Sequence, residues 1–390
     1  MKTNPVEGIQ PSVIRWARES IGLSVDEVAR RLKRKAEDIA AWEAGEQAPT
    51  YAQLEKLAYS IYKRPLAVFF LPAPPQERTP NAEFRTLPVV ELNALLPDTR
   101  LHIRKGHAYQ LALAELFGDN PSRQQICRDI SLSANQPLAQ SAHQVRAYLG
   151  VDMAIQSGWK EPEVALKAWR KAIEEKGVFV FKASFKQKEI SGFSLAHPQF
   201  PVIYLNNSTT QTRQVFSLLH ELCHLLYNEN GLSRFDTSYI DALPIGIQQL
   251  ERQCNALAAE ILIPAADFAA QSAHLPFDIE SVSDMEIEQL ACRYGVSREA
   301  ILRRFLDQGR VGVTHYRQKA DSWAAQQKKA EGGGNWYATA NTYLSPRFAA
   351  EVVSQHYRNQ LTMEQASELL GVKAKNFEGL EQRILRGALA

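Results

Sequence analysis

The sequence predicts a multidomain protein that is mainly α-helical and has one small α+β core. Its 390 residues are enough for two or three domains of ordinary size. Apolar residues make up 45% of the chain and charged residues 23%, a balance typical of globular rather than disordered proteins. Apolar residues at helical spacing dominate both ends of the chain, whereas β-rich runs are confined to a central stretch.

Charge and cysteine content exclude several other classes of protein. The net charge is only +2, which excludes a protein whose whole surface binds nucleic acid. A local basic patch is still compatible with this charge. Four scattered cysteines are too few for a disulfide framework. The N-terminal residues lack the apolar segment of a secretory signal, and no apolar run approaches 18 residues. We therefore expect a cytoplasmic protein with no membrane partner.

The N-terminal 71 residues predict a bundle of short helices. Ser24 is a candidate N-cap, and Glu27 three residues later completes a capping box. Apolar residues then recur at helical spacing, at Val28, Ala29, Leu32, Ile39 and Trp42. The segment 71–80 contains four prolines and ends this unit. We place a first domain at 1–71.

The centre of the chain predicts strands followed by helices, the order expected of an α+β unit. β-rich runs at 177–181 and 200–205 are bounded by Gly, Pro and Asn, and 190–195 is a candidate third strand. Helices are predicted at 212–228 and 248–263, the second closed by a proline.

The remaining boundaries follow from these predictions. We expect a Pro-rich linker and helical connecting region at 72–150, and the α+β domain at 151–310. A hinge of three glycines at 332–334 and further helices predict a C-terminal helical domain at 311–390.

The central chemical motif is the segment His220–Glu221–Leu222–Cys223–His224. Two histidines four residues apart lie on one face of a helix, so both imidazoles can reach a single metal ion. Glu221 projects beside that face, where a carboxylate can hold a water molecule and take its proton. The motif predicts a metal centre with Glu221 as the catalytic base.

A catalytic zinc ion needs a third protein ligand and an open position. The next helix offers Glu251 and Glu260, which lie about 180° apart around a helix and cannot both face one metal ion. Glu251 shares its face with the small residues Cys254 and Ala258, which allow close helix packing. We predict Glu251 as the ligand and a structural or supporting role for Glu260. Cys254 is the alternative ligand, because thiolates bind zinc well, although a small buried residue is the default interpretation.

Two further predictions concern the same site. Zinc is the expected metal, but two histidines and a glutamate would also bind manganese or cobalt. Tyr227, one turn after His224, is a candidate hydrogen-bond donor to an oxyanion that would form when water attacks a carbonyl at this site.

The run HELCHLLYNE, followed by ERQCNALAAEILIP, resembles the ImmA/IrrE family of zinc metallopeptidases. The resemblance implies a zincin-like core: a strand pair, the HExxH helix and a second helix with an E-x-x-A-N-x-F-A signature. The first glutamate of that signature is the family's third ligand and corresponds to Glu251. The chain departs from the signature at Cys254, where Ala is usual, and at Leu257, where Phe is usual.

The N-terminal unit resembles the XRE/Cro-type helix-turn-helix. The resemblance rests on Leu32, Ile39, Trp42, Glu43, Gly45, Pro49, Leu54 and Ala58. Such domains bind double-stranded DNA, often as homodimers. The recognition helix would begin near Ala36, where Glu37 and Asp38 are unfavourable for DNA. A basic cluster just before them could contact backbone phosphates; it consists of Arg30, Arg31, Lys33, Arg34 and Lys35. DNA binding therefore stays open.

Fusions of these two domain types are familiar, and some resemble toxin–antitoxin modules. The leading hypothesis is a zinc endopeptidase that cleaves a regulatory protein. By resemblance the substrate is a helix-turn-helix repressor encoded nearby, whose cleavage controls stress or mobile-element genes. The alternative is a DNA-binding transcriptional regulator or antitoxin that neutralises a neighbour-encoded toxin by direct binding, with a vestigial, structural or regulatory metal site. In a third hypothesis the peptidase cleaves its own Pro-rich segment at 71–80.

Overall fold

The computed structural model describes residues 4–118, 124–133, 135–326 and 342–388. The chain divides into two compact units. The first comprises Met1–Lys105 and Phe185–Gln187, and the second comprises Gly106–Ser184 and Lys188–Ala390. The four-part division predicted above is finer, and its boundaries stay predictions. The predicted hinge at 332–334 lies outside the described residues.

The first unit is a bundle of short helices, as the sequence predicts. Its helices are α1 (Pro11–Ser20), α2 (Val25–Leu32), α3 (Ala36–Ala44), α4 (Tyr51–Glu55), α5 (Pro80–Glu83) and α6 (Val89–Asn93). A π-helical turn, Lys56–Tyr62, continues α4, and a 3₁₀ helix follows at Leu66–Phe70. The bundle core is apolar and includes Val13, Val28, Ile39, Trp42, Leu54, Leu57, Tyr62 and Phe69. Helix α7 (Pro97–Phe117) contains the boundary between the units.

The predicted capping box begins α2. The Ser24 hydroxyl accepts the backbone N–H of Glu27 at 3.2 Å, and the Glu27 carboxylate accepts the N–H of Ser24 at 2.8 Å. Lys33 ends the helix in the left-handed conformation, with φ of 59°. The connection from α2 to α3 is three residues long, and Lys33 is the first of them.

The second unit contains a four-stranded mixed sheet. Its strands are β1 (Phe179–Ala183), β2 (Ile190–Leu195), β3 (Val202–Asn206) and β4 (Gly231–Arg234), in the spatial order β1-β3-β2-β4. Strand β3 runs parallel to β1 and antiparallel to β2, and β4 runs antiparallel to β2. The three predicted strands form. The sequence did not predict β4, because four residues beginning with glycine carry no strand pattern.

The rest of the second unit is helical among its described residues. The described helices are α8 (Ile126–Asp129), α9 (Leu138–Leu149), α10 (Met153–Ser157), α11 (Pro162–Glu175), α12 (Gln211–Leu226), α13 (Ile245–Leu262), α14 (Ala265–Gln271), α15 (Asp284–Tyr294), α16 (Arg298–Asp307), α17 (Val313–Gln326), α18 (Pro346–Tyr357), α19 (Met363–Leu369) and α20 (Phe377–Ala388). Helix α13 begins three residues before the predicted start, directly after Pro244, which is its N-cap residue. Within the described residues, no helix is long and apolar enough to cross a membrane.

Both faces of the sheet are buried. One face packs against α11 and α12, and α13 packs in turn on α12; the shared apolar core includes Val180, Ile203, Leu166, Ile173, Leu218 and Leu222. The other carries an aromatic cluster in which the rings of Tyr109 and Phe181 stack with centroids 3.9 Å apart. Phe348 of α18 meets both rings edge-on. The sheet is thus a rigid support that fixes α12 from one side.

Candidate metal centre

Helix α12 places both histidines of the HExxH motif side by side. The hydroxyl of Thr210 caps the helix by accepting the backbone N–H of Arg213 at 3.4 Å. The Nε2 atoms of His220 and His224 lie 3.0 Å apart, as expected of residues separated by one helical turn. Both side chains are buried, so two ring nitrogens converge in a space largely shielded from water.

Helix α13 brings Glu251 to the same point. Its Oε1 lies 3.3 Å from Nε2 of His224, and its Oε2 lies 3.5 Å from Nε2 of His220. Possible ligand atoms of the three residues all lie within 4.8 Å of one another. Cys254 and Ala258 on α13 are fully buried, in keeping with the predicted close packing of the two helices.

These distances suit a small divalent cation. A tetrahedral zinc site with bonds of about 2.0–2.1 Å has edges of about 3.3 Å between ligand atoms. The two Nε2 atoms are 3.0 Å apart, and each has a Glu251 oxygen close to that distance: Oε1 at 3.3 Å from His224 and Oε2 at 3.5 Å from His220. Oε1 of Glu251 is also buried and faces Nε2 of His224 without forming a regular hydrogen bond, a position that a bound cation would satisfy. The residues present fit a metal ion.

The charges of the metal-free site are set by its neighbours. Burial by itself raises the pKa of Glu251, but His224 and His220 lower it well below its ordinary value. Burial by itself lowers the pKa of His224, but Cys254 and Glu251 raise it well above the ordinary value. Without a metal ion, these interactions favour the charged forms of both groups, a protonated His224 beside an ionised Glu251.

Cys254 lies on the outer side of the His224 ring. Its Sγ is 3.7 Å from Nδ1, whereas Nε2 is the nitrogen that faces Glu251. The thiol thus contacts His224 on the ring nitrogen opposite the one that faces Glu251. It is not among the clustered ligand atoms. Glu260 serves elsewhere: its carboxylate accepts the N–H of Ala265 at 2.9 Å and pairs with Arg304. This is a structural position, as the helix geometry predicts.

Glu221 is fully buried and held from one side. Its Oε2 accepts a hydrogen bond of 2.8 Å from the hydroxyl of Ser194 on β2, and that hydroxyl accepts the backbone N–H of Gly231 at 3.1 Å. Its Oε1 has no hydrogen-bond partner among the described residues. One carboxylate oxygen is therefore fixed and the other remains available.

Gly231 allows this close approach of β4 to α12. A Cβ atom there would lie 2.5 Å from Cδ2 of His224 and 2.7 Å from Oε2 of Glu221. Any other residue would collide with both side chains. Ser194 and Gly231 are site residues that sequence reasoning missed, because their contacts depend on the packing of α12 on β2 and on the pairing of β2 with β4.

Tyr239 is a third missed residue. It lies in a 3₁₀ helix, Ser238–Ala242, between β4 and α13. Its hydroxyl donates to Oε2 of Glu251 at 3.1 Å, and the side chain is buried. No spacing or motif in the sequence marks this tyrosine.

Tyr227 occupies the C-terminal cap of α12. Burial raises its pKa to about 12, so its hydroxyl keeps its proton at neutral pH. A protonated phenol can donate a hydrogen bond, but its role as an oxyanion donor stays a prediction.

The basic cluster of the first unit is open to solvent. Its members, Arg30, Arg31, Lys33, Arg34 and Lys35, are all exposed, at the end of α2 and in its connection to α3. Exposure permits phosphate contacts, and DNA binding stays a prediction.

A comparison with protein families bears on this geometry. Residues 173–306 match the family model of the IrrE N-terminal-like domain, Peptidase_M78. The matched segment contains the whole sheet, α12 and α13, and therefore His220, Glu221, His224 and Glu251. It supports the similarity to the ImmA/IrrE family and a metallopeptidase-like domain. The match does not reach residues 1–71, whose resemblance to XRE/Cro domains stays a prediction. No curated protein matches the chain.

Proposed function

We propose that this chain is a metal-dependent endopeptidase, with zinc as the expected metal. One observation carries the proposal: His220, His224 and Glu251 converge within 4.8 Å, with the free oxygen of the neighbouring Glu221 buried and unpartnered. A solely structural zinc site would not require such a carboxylate beside its ligands. The family match over 173–306 supports the same reaction class.

His220, His224 and Glu251 would hold the ion. A divalent ion bound there would supply a Lewis acid for the scissile carbonyl and would lower the pKa of water toward about 7. Manganese or cobalt would suit the same donors.

Glu221 supplies the proton transfer. Its Oε1 is positioned by the helix and free of other hydrogen bonds, so it can take the proton of the attacking water and return it to the leaving amine. Ser194 occupies Oε2 and restricts rotation of the carboxylate. Tyr227 is the proposed donor to the developing oxyanion.

Substrate access is narrow in this structure. Among the three proposed ligands and Glu221, His220 alone retains measurable exposure, 4%, and Phe216 lies beside its ring with centroids 6.2 Å apart. We expect a peptide to approach on the His220 side and to widen this opening as it binds.

The proposed substrate is a regulatory protein. The family resemblance favours a helix-turn-helix repressor, or a toxin partner, encoded nearby. Cleavage of such a repressor would release stress or mobile-element genes from control. The Pro-rich segment at 71–80 is a further site to examine for cleavage of the chain itself.

Cleavage by matched variants tests the proposal. The zinc-loaded protein is incubated with each neighbour-encoded regulator, and products are identified by mass spectrometry. Glu221→Gln should abolish cleavage while leaving the metal bound, because it changes the proton acceptor and not a ligand. Glu229→Gln, an exposed change just after the same helix, is the control and should cleave normally. Retained cleavage in Glu221→Gln would remove this residue from the mechanism.

A second candidate function rests on the exposed basic cluster at the end of α2. Such a cluster suits DNA backbone phosphates, so the chain could act as a DNA-binding regulator or antitoxin that binds its partner directly. A Glu221→Gln variant that still represses a promoter or neutralises a toxin would favour this candidate. Loss of both activities in that variant would favour the peptidase.

A further inference from the structure

We propose that Tyr239 is a positioning residue of the metal centre, whose phenol holds one oxygen of Glu251 and leaves the other for the ion. The inference rests on the proposed metal-binding function. It adds a residue outside the HExxH helix and the Glu251 helix.

The direction of the hydrogen bond is fixed by chemistry. An ionised carboxylate has no proton to give, so the phenol must donate. The hydroxyl of Tyr239 lies 3.1 Å from Oε2 of Glu251, and 6% of the residue is exposed, so water competes little for either group. Hydrogen bonds to charged acceptors are among the stronger ones in proteins.

This contact distinguishes the two oxygens of Glu251. Both lie near a histidine, because Oε1 faces His224 and Oε2 faces His220. A freely rotating carboxylate could present either one. Tyr239 engages Oε2, whereas Oε1 forms no regular hydrogen bond and faces the ring of His224, so it is the oxygen left for a cation.

The segment that carries Tyr239 is anchored to the helix that carries Glu251. The side chain of Gln248 donates to the backbone carbonyls of Asp241 at 3.1 Å and Leu243 at 2.8 Å. Gln248 lies nearly one turn before Glu251 on α13. The phenol and the carboxylate are therefore held relative to each other by the same helix, which is the arrangement a preorganised ligand needs.

The test measures metal affinity and needs no substrate. Zinc is titrated into wild-type protein and Tyr239→Phe in the presence of a chromophoric chelator. Loss of a partner that orients a ligand typically weakens metal binding about 10–100-fold, and we expect that range for Tyr239→Phe. The matched control is Tyr294→Phe, which removes a buried phenol that donates to Asp267 at 2.7 Å, outside the ligand cluster. It should bind zinc as wild type does.

Two further measurements separate positioning from general damage. Melting of the metal-free proteins should show Tyr239→Phe no less stable than Tyr294→Phe. In a Glu251→Gln background, adding Tyr239→Phe should weaken zinc binding no further, because the phenol acts through Glu251. Wild-type affinity in Tyr239→Phe, equal losses in both tyrosine variants, or an additive loss with Glu251→Gln would each overturn the proposal.

The outcomes also separate this inference from the proposed function. Zinc binding that depends on Tyr239, without cleavage of any partner, would leave the inference standing and remove the peptidase. Cleavage of a partner, together with a zinc affinity that does not depend on Tyr239, would support the peptidase and overturn the inference about Tyr239. A wild-type protein that binds no zinc would overturn both.

Discussion

The hydroxyl of Ser194 donates to Oε2 of Glu221 at 2.8 Å, which connects strand β2 to the centre of the HExxH helix. The same hydroxyl accepts the N–H of Gly231, the residue opposite Ser194 in the β2–β4 pair. Its only proton is therefore directed at Glu221. This contact leaves Oε1 as the oxygen available for proton transfer.

Removing the Ser194 hydroxyl should impair catalysis more than metal binding. In Ser194→Ala the Glu221 carboxylate loses its orienting donor, and we expect kcat to fall about 10–100-fold with little change in KM or zinc content. Ser191→Ala is the control, because Ser191 is also buried on β2 and makes no hydrogen bond to Glu221. Steady-state kinetics on a cleaved regulator distinguishes the two variants. Equal kcat values for both would exclude Ser194 from positioning Glu221.

A methyl group at position 231 should disrupt the site directly. In Gly231→Ala the new Cβ would lie 2.5 Å from His224 and 2.7 Å from Glu221, so one of them must shift. Overpacking of this kind costs about 1–3 kcal/mol, and we expect lower stability together with weaker zinc binding. Gly246→Ala on α13 is the control, since its Cβ would meet no atom within 4 Å. Chemical denaturation and zinc titration of both proteins test this, and wild-type zinc affinity in Gly231→Ala would contradict it.

Metal binding should release a proton at neutral pH. The metal-free site raises the pKa of His224 and lowers that of Glu251, whereas a ligating histidine must be neutral. Below the raised pKa of His224, the logarithm of zinc affinity should therefore rise with pH with a slope of about one, and it should level off above that pKa. Calorimetry in buffers of different ionisation enthalpy counts the protons released. Binding at pH 7 without proton release would contradict the protonated state of His224.

The basic cluster makes a separate prediction about DNA. If Arg34 and Lys35 contact phosphates, replacing both with glutamine should weaken duplex binding similarly for different sequences. The slope of log affinity against log salt should become shallower by about 0.9 for each phosphate that the protein no longer neutralises. Lys56→Gln, an exposed change in the same unit but outside the cluster, should leave the slope unchanged. Fluorescence anisotropy at several salt concentrations measures it, and an unchanged slope in the double variant would exclude these phosphate contacts.

Local periodicity explains how much of the site could be predicted. The i, i+4 spacing of His220 and His224 fixes their shared face once a helix forms. The same arithmetic separates Glu251 from Glu260, and the structure places only the first beside the histidines. The three predicted strands likewise follow from local composition, although the metal-ligand roles stay proposals.

The supporting residues could not be predicted, because their contacts depend on tertiary pairing. Ser194 is 27 residues from Glu221 and meets that side chain because α12 packs on β2, whereas Gly231 reaches the site through the register of β2 against β4. That register contains an irregularity between Ile190 and Gly192, which no sequence pattern specifies. Tyr239 reaches Glu251 only because a short 3₁₀ helix folds back toward α13.

Metal content is the most direct test of the central claim, that His220, His224 and Glu251 hold a catalytic metal ion beside Glu221. Protein purified without chelators is analysed by mass spectrometry as wild type, Glu221→Gln and His220→Ala. The proposed site predicts about one zinc per chain in wild type and in Glu221→Gln, and its loss in His220→Ala. Absence of metal from the wild type, even after addition of zinc or manganese, or full occupancy in His220→Ala, would contradict it.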